Sequence, residues 1–471
     1  MLNHATNNHR RPNCCKRATI ALLAATTAVA VHAQTLSTLV TFNGADGANP
    51  YFEPLVQGIN GSLYGTTLYG GSGSGTVFNI TTQGTLTTLL SFDSTDGSQP
   101  QAGLLLAANG TFYGTTSAGG ANGDGSIFEI TAGGQLTTLH SFSGADGSNP
   151  DCTLVLATDG ELYGTTWAGG ANGLGTVFEI STKGVFKSVH SFSGSDGKWP
   201  SGGLVQATNG TLYGTTFTGG TSNFGTVFAI TAKGKLNTLY NFEGFADCGE
   251  PFAALIQGAD GNLYGTTSGT LPECPSGGVF EISTAGSLTI LHVFGGSTFD
   301  GDGSSPEGAL VQATDGNFYG TTATGGNNNA GTIFRVVPGA GPGPVTLYSF
   351  TGATDGSNPE STLIQATDGN FYGTTRGVNI GNGGTVFSLS LGLAPFVETL
   401  PTFAKAGQQV DILGTDLTGA TGVTFNGTEA RFTVVSPTEI RTHVPTGATS
   451  GSVQVVTPNG TLSSNVSFDV K

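Results

Sequence analysis

Charge is scarce in this chain. Only 10% of its 471 residues are charged, with 15 Lys or Arg against 31 Asp or Glu and a formal net charge of −16. So few basic residues leave no cationic stripe of the kind nucleic acid requires, and the acidic balance disfavours an anionic membrane surface. Methionine occurs once, tryptophan twice and cysteine five times. After the N-terminal segment no run is long and apolar enough for a membrane helix, so no membrane span is expected. His-Glu-x-x-His, Gly-x-Ser-x-Gly, Cys-x-x-Cys and P-loop patterns are all missing, so no familiar catalytic motif presents itself. Glycine is the opposite case. Its 78 copies follow no collagen period and fit many tight turns between short strands.

The first 33 residues have their own character. Arg10, Arg11, Lys16 and Arg17 precede an apolar run from Ala18 to Val31, and Val31-His32-Ala33 offers small residues before Gln34. This pattern predicts a secretory signal peptide over 1–33 and an exported protein, whether secreted, cell-surface or periplasmic. Cys14 and Cys15 lie before the apolar run, where a lipid-modified cysteine would not. Export leads into an oxidising compartment, so Cys248 and Cys274, in the repeat with the least regular loops, are candidates for a disulfide. Cys152 then remains as a small buried apolar residue.

The rest of the chain is organised by repetition. Tyr-Gly-Thr-Thr begins at Tyr64, Tyr113, Tyr163, Tyr213, Tyr264, Tyr319 and Tyr372, at successive spacings of 49, 50, 50, 51, 55 and 53 residues. A period near fifty marks a repeat architecture. One unit reads as four strands: Leu154–Ala157, Glu161–Thr166, Thr176–Ile180 and Val185–Phe192. Asn-Gly or Asp-Gly stands between the first two strands in all seven units, from Asn60-Gly61 to Asp368-Gly369, and supplies the positive φ of a type I′ hairpin turn. The apolar first and third strands predict small sheets buried on both faces. Seven such sheets fit a β-propeller, with a β-solenoid as the other reading. The chain also starts and stops out of phase: a lone fourth strand, Leu36–Phe42, precedes the first unit, and none follows Thr385–Leu389. The N-terminal strand is therefore expected to complete the seventh sheet and latch a ring over 34–392.

The repeat unit, Asp-Gly-x-Leu-Tyr-Gly-Thr-Thr, then Gly-Gly, Gly-Thr-Val-Phe-Glu-Ile and Leu-Thr-Thr-Leu-His-Ser-Phe, resembles the GloVer tandem repeat over roughly residues 36–389. The resemblance implies a bacterial exported protein and carries no assigned activity. Residues 393–471 break the period. Their short strands, with Gly414, Phe425-Asn426-Gly427 and Val444-Pro445, predict a small β-sandwich and resemble the IPT/TIG domain. That resemblance implies an immunoglobulin-like spacer or protein-contact module. His443 reads as a strand residue.

In a repeat protein, functional residues are sought where one unit departs from the others. His140, His190 and His292 share one fourth-strand position and read as surface or half-buried strand residues. Glu129, Glu179 and Glu281 recur in the third strand without a paired-carboxylate pattern. The Asp of each inter-repeat loop (Asp46, Asp96, Asp146, Asp196, Asp302, Asp355) reads as a cap on its own turn rather than a calcium ligand. Asp300, Asp302 and Ser304 alternate as calcium ligands do, with Glu307 beyond, but lack a complete calcium loop. No other cofactor is expected. The irregular loops all fall between repeats or between the second and third strands, and these two loop sets share one face of a ring. Trp167, Trp199, Tyr69, Phe217, Phe224 and Arg376 sit there as candidate ligand-binding residues, suited to stacking and hydrogen bonding with a glycan or an extracellular protein. The competing reading packs these rings beneath their own loops. The functional expectation is non-catalytic binding or adhesion. A polysaccharide lyase or glycoside hydrolase, or a structural surface component, stands as the alternative. A channel-mouth cluster of acidic or basic residues unique to single repeats would favour the enzyme.

Overall fold

A computed structural model of the protein describes residues 34–52, 54–244, 247–269, 274–295, 301–339, 343–377 and 383–471. The expected signal peptide and Asp300 lie outside these residues. Every regular element among the described residues is a strand. The repeats form successive four-stranded antiparallel sheets in sequence order, the arrangement of a β-propeller. In the third, the strands are Val155–Leu156, Leu162–Thr166, Thr176–Ile180 and Phe186–Ser191. The first strand is shorter than expected. It holds only two residues, because Ala157 already belongs to the hairpin turn, where its carbonyl accepts from Gly160 N at 2.9 Å. The second strand, not the first, shares the double-sided burial with the third.

Each letter of the recurring motif has a physical reason. The Tyr163 ring is buried, and its hydroxyl donates to Asp159 Oδ2 of the hairpin turn at 2.9 Å. Where the turn carries Asn, as at Asn209, the amide donates to the tyrosine oxygen instead, at 2.8 Å. Gly164 faces Phe178 across the strand pair. A Cβ there would stand 2.5 Å from the Phe178 ring, so only glycine admits the ring. Thr165 Oγ1 donates to Gly202 O of the following repeat at 3.2 Å. Thr166 Oγ1 meets Thr176 Oγ1 of its own third strand at 2.8 Å. The fifth repeat has Gly278 opposite Thr267 instead. A Cβ there would stand 3.3 Å from the Cys248 sulfur, so the sulfur fills space that a threonine side chain takes elsewhere. Cys248 is disulfide-bonded to Cys274, with a Cα–Cα distance of 5.2 Å, while Cys152 is a buried free thiol.

Neighbouring sheets meet through one recurrent contact. The phenylalanine after each fourth strand packs edge-on against the third-strand phenylalanine of the next sheet: Phe92 on Phe128 at 5.4 Å, Phe192 on Phe228 at 5.3 Å, Phe350 on Phe387 at 5.3 Å. The same contact joins Phe42 to Phe78 at 5.2 Å. Phe42 follows strand Thr35–Thr41, which pairs antiparallel with Thr385–Ser390 at the edge of the last repeat's sheet. The first and last repeats are thus joined through the N-terminal strand. A second tie crosses the same seam, where Thr367 N donates to Gln57 Oε1 at 2.9 Å. It matches Thr208 N to Gln257 and Thr314 N to Gln365 elsewhere.

The C-terminal segment forms two four-stranded sheets. One holds Glu398–Leu400, Gln409–Leu413, Glu439–His443 and Phe432–Ser436; the other holds Thr428–Glu429, Gly422–Phe425, Val453–Thr457 and Gly460–Ser463. Val410, Ile412, Val423, Phe425, Ile440 and Val455 fill a common core. His443 ends its strand with an exposed side chain. The segment rests on the hairpin-turn side of the repeats. Leu413 is buried with Tyr64 and Leu106, Thr438 Oγ1 donates to Ile59 O at 2.9 Å, and Phe396 N donates to Thr367 O at 3.0 Å.

Candidate functional site at the channel mouth

The loops between repeats and the loops inside repeats zip together. Ala48 bridges Tyr69, Ser98 bridges Ala118, Ser148 bridges Ala168 and Lys198 bridges Thr218. One residue of each repeat, the one just after the recurring proline, follows this zipped segment. Those residues are Tyr51, Gln101, Asp151, Ser201, Phe252, Glu307 and Glu360. No two neighbouring repeats carry the same chemistry here except the sixth and seventh. A cavity of about 340 Å³ opens among them, with Asp151, Phe252 and Glu307 in its wall together with Phe52.

Half of the rim is aromatic. Trp199 stacks on Trp167 with centroids 5.8 Å apart and planes 11° from parallel. Trp167 touches Phe217 at 5.8 Å, and Phe217 meets Phe252 edge-on at 5.8 Å. Phe252 lies 4.7 Å from Phe52, which lies 3.8 Å from Tyr51. All six rings are half-buried. Two of them sit on strained backbone, Trp199 at φ 59° and Phe52 at φ 51°. Left-handed φ costs a bulky residue on the order of 1–2 kcal/mol. At Trp199 it belongs to the repeat itself, since Asn49, Gln99 and Asn149 hold the same conformation before their prolines.

The other half is charged. Arg376 Nη1 lies 3.3 Å from Glu360 Oε1, and its guanidinium sits 5.3 Å from the Tyr51 ring centre. Glu360 is 4% exposed, and its Oε2 has no hydrogen-bond partner among the described residues; Asp151 Oδ1 is likewise closed from solvent without one. Burial pushes the Asp151 carboxyl up to about 8. Burial raises Glu307 to about 7 against the pull of Arg376. Glu360 rises to about 8 through burial and then the Glu307 charge, again opposed by Arg376. Tyr51 rises to about 12 through burial, then Glu360 and Glu307. Carboxyls held near neutrality in a cavity can donate as well as accept protons at physiological pH.

Of the residues singled out in the sequence, Trp167, Trp199, Phe217 and Arg376 lie along this one rim. Phe224 does not join them. It packs on the inter-repeat loop that follows, 2.6 Å from where a Cβ on Gly244 would stand. Tyr69 uses its main chain to bridge Ala48. Asp302 Oδ2 lies 3.0 Å from His292 Nε2, and Asp302 Oδ1 accepts from Gly303 N at 2.9 Å; Ser304 belongs to a short strand pair with Thr324. His140–Asp146 at 3.0 Å and His190–Asp196 at 2.9 Å repeat that histidine contact. Among the described residues no group of three or more His, Cys, Asp or Glu could hold a metal ion. Glu307 and Glu360, at equivalent places in the sixth and seventh repeats, lie in the field of Arg376, and Asp151 and Glu307 share the cavity wall. A signal was present in the sequence, because the proline recurs in every repeat while the residue after it varies from repeat to repeat.

Among solved structures, the chain is similar to a gluconolactonase from Xanthomonas campestris (17% identity, 63% of this chain and 88% of that one, TM-score 0.41). It is similar to a PQQ-bound aldose sugar dehydrogenase from Streptomyces coelicolor (16% identity, 76% and 98%, TM-score 0.40). It is also similar to a puromycin hydrolase (12% identity, 70% and 50%, TM-score 0.47). At this level of likeness none of them carries an activity over to this chain. No curated protein matches it. The model of the Gloeobacter/Verrucomicrobia repeat matches residues 26–131, 72–273 and 260–433, and that of the IPT/TIG domain matches residues 397–470. The chain therefore belongs to the Gloeobacter/Verrucomicrobia repeat family and carries a C-terminal IPT/TIG domain.

Proposed function

We propose that this protein is an exported carbohydrate-binding propeller whose ligand lies across the channel mouth. Seven blades close into one ring, the strand Thr35–Thr41 completes the seventh, and an immunoglobulin-like sandwich caps the hairpin-turn side. The observation that carries the reading is the continuous rim of half-buried rings from Trp199 to Tyr51, ending at the Arg376–Glu360 pair. Sugar C–H faces stack on such rings, and a planar guanidinium with buried carboxyls beside it fixes hydroxyl groups. The mouth lies away from the sandwich, so a polymer chain can approach it.

A glycan array probed with the purified protein tests this. Binding to a defined oligosaccharide is expected, weakened at least about tenfold by Trp167→Ala with Trp199→Ala, since stacked aromatic anchors carry about 1–3 kcal/mol each. Absence of binding by folded protein rejects the reading. A second reading, glycosidic-bond cleavage at the same mouth, is favoured by Asp151, Glu307 and Glu360 standing near neutrality. Release of new reducing ends from a bound glycan, abolished by Glu307→Gln, would move the assignment to a hydrolase.

A further inference from the structure

The cavity at the channel mouth has a wall that a sugar ring does not explain. All seven repeats contribute to it, from Pro54 of the first to Thr362 of the seventh. Leu105, Val155 and Ile256 each begin the first strand of their repeat and stand half-buried in the wall. The hydroxyl and amide side chains of the wall are already engaged. Gln101 Nε2 donates to Ser117 Oγ at 2.8 Å, and Ser201 Oγ donates to Phe252 O at 2.7 Å. Thr153 Oγ1 accepts from Gly103 N at 3.0 Å, and Thr362 Oγ1 accepts from Ala309 N at 2.9 Å. A hydroxylated ring placed here would exchange water for a surface of carbon, which is costly unless each hydroxyl finds a partner. Phe52 of the first repeat meets Phe252 of the fifth at 4.7 Å, and both rings belong to this wall. Repeats one and five are not neighbours in the closed ring, so this contact reaches across the mouth.

Resting on the carbohydrate reading, we propose that the ligand is a glycoside with a neutral aryl aglycone, the sugar lying on the aromatic rim and the aglycone in the cavity. Size, charge and shape each define the aglycone. An apolar cavity of about 150 Å³ admits one benzene ring, so the cavity of about 340 Å³ has room for a group of about two fused rings. Pockets of this size with mostly apolar walls are the usual seats of small ligands. Asp151 and Glu307 stand on the wall, and the chain carries a formal net charge of −16. An anionic amphiphile such as a fatty acid is therefore repelled, and the group that enters is neutral. Phe52 and Phe252 offer it aromatic partners. A flat, rigid ring system also loses less conformational freedom on entry than an alkyl chain does. Its transfer from water to the wall is driven by the burial of apolar surface.

Two kinds of probe separate the cavity from the rim. N-phenyl-1-naphthylamine, a neutral fluorophore without a sugar, should bind the purified protein one to one, with brighter and blue-shifted emission. Ala254 stands half-buried in the wall, and Ala254→Phe should fill the space and weaken the fluorophore at least about tenfold. Val155→Thr keeps the volume, adds a hydroxyl and should weaken it several-fold. Trp167 does not line the cavity, so Trp167→Ala should leave the fluorophore bound as before. Calorimetry with naphthyl and methyl glycosides of glucose, galactose and N-acetylglucosamine then joins the two parts. For a sugar that binds, the naphthyl form is expected to be at least about tenfold tighter than the methyl form. Ala254→Phe should close that gap, and Trp167→Ala should weaken both forms alike. No fluorophore binding, or binding unchanged by Ala254→Phe and Val155→Thr in variants with unaltered circular dichroism, overturns the aryl site. Equal affinity of the naphthyl and methyl forms does so too, as does an octyl glycoside that binds tighter than the naphthyl one, and both leave the carbohydrate reading in place. A bound fluorophore with every glycan and glycoside refused keeps the aryl site and rejects the sugar.

Discussion

A carboxyl group in a cavity wall with one oxygen closed from solvent resists ionising, and the position of Asp151 costs stability. Its ordinary value is 3.8, and burial lifts it to about 8 in the folded protein. A group whose folded value is raised gives full stability below the unfolded value and loses it as pH rises toward the folded one. The melting temperature should therefore decline between about pH 4 and pH 8 through this residue, with Glu307 and Glu360 adding to the slope. Asp151→Asn keeps the shape and removes the titration. Its melting curve against pH should be flatter, and at pH 8 it should be the more stable protein. A variant with the wild-type slope would mean that Asp151 is ionised and solvated. At this scale much was legible in the sequence. Gly164 is invariant among the repeats because Phe178 occupies the space a side chain would need, and a recurring glycine in a strand signals such an approach. Phe224 packs on Gly244, a contact that a loop aromatic in the sequence does not reveal. The residues after the prolines escaped notice because each is ordinary within its own loop. Only the packing of the folded repeats brings such positions, about fifty residues apart, to the wall of one cavity.

At the scale of elements, the seam between the first and last repeats decides whether the molecule closes. Strand Thr35–Thr41 supplies the outer edge for Thr385–Ser390, Phe42 docks on Phe78, and Gln57 binds Thr367 across the same boundary. The contacts that other neighbouring sheets obtain from continuous chain are made here by a segment from the far terminus. Removing residues 34–43 should expose the edge of the last sheet and strip Phe78 of its partner. Loss of a buried phenylalanine alone costs about 3–5 kcal/mol, so the deletion should lower the urea midpoint markedly and promote aggregation through the open edge. An unchanged midpoint would show that the strand contributes nothing to closure. The phase of the repeats made this pairing readable, since a lone fourth strand at one end complements a missing one at the other. Strand lengths were less readable. Leu154–Ala157 looks like a full strand, yet only Val155 and Leu156 pair, because an apolar run records burial and not how many residues join a ladder.

For the whole molecule, the question is whether the repeats and the C-terminal domain act as one body. Leu413 is 4% exposed within a cluster made mainly by repeat residues, among them Tyr64, Val77 and Leu106, with Leu400 packed against it. Thr438 and Phe396 add hydrogen bonds to Ile59 and Thr367 at neighbouring hairpin turns. A buried leucine is worth about 2–5 kcal/mol when truncated, enough to couple a small sandwich to its neighbour. Calorimetry of the intact protein should therefore give a single unfolding transition. Leu413→Asp places an unpaired charge in that contact and should split the endotherm into two, the sandwich melting first. Two transitions already present in the unaltered protein would refute the coupling. The binding site supplies the internal control. The rim from Trp199 to Tyr51 lies on the loop face, and the sandwich touches the hairpin-turn face, so Leu413→Asp should leave glycan affinity unchanged below the first transition. Loss of affinity in that variant would mean that the sandwich supports the channel itself, and that the two faces of the ring communicate through its core.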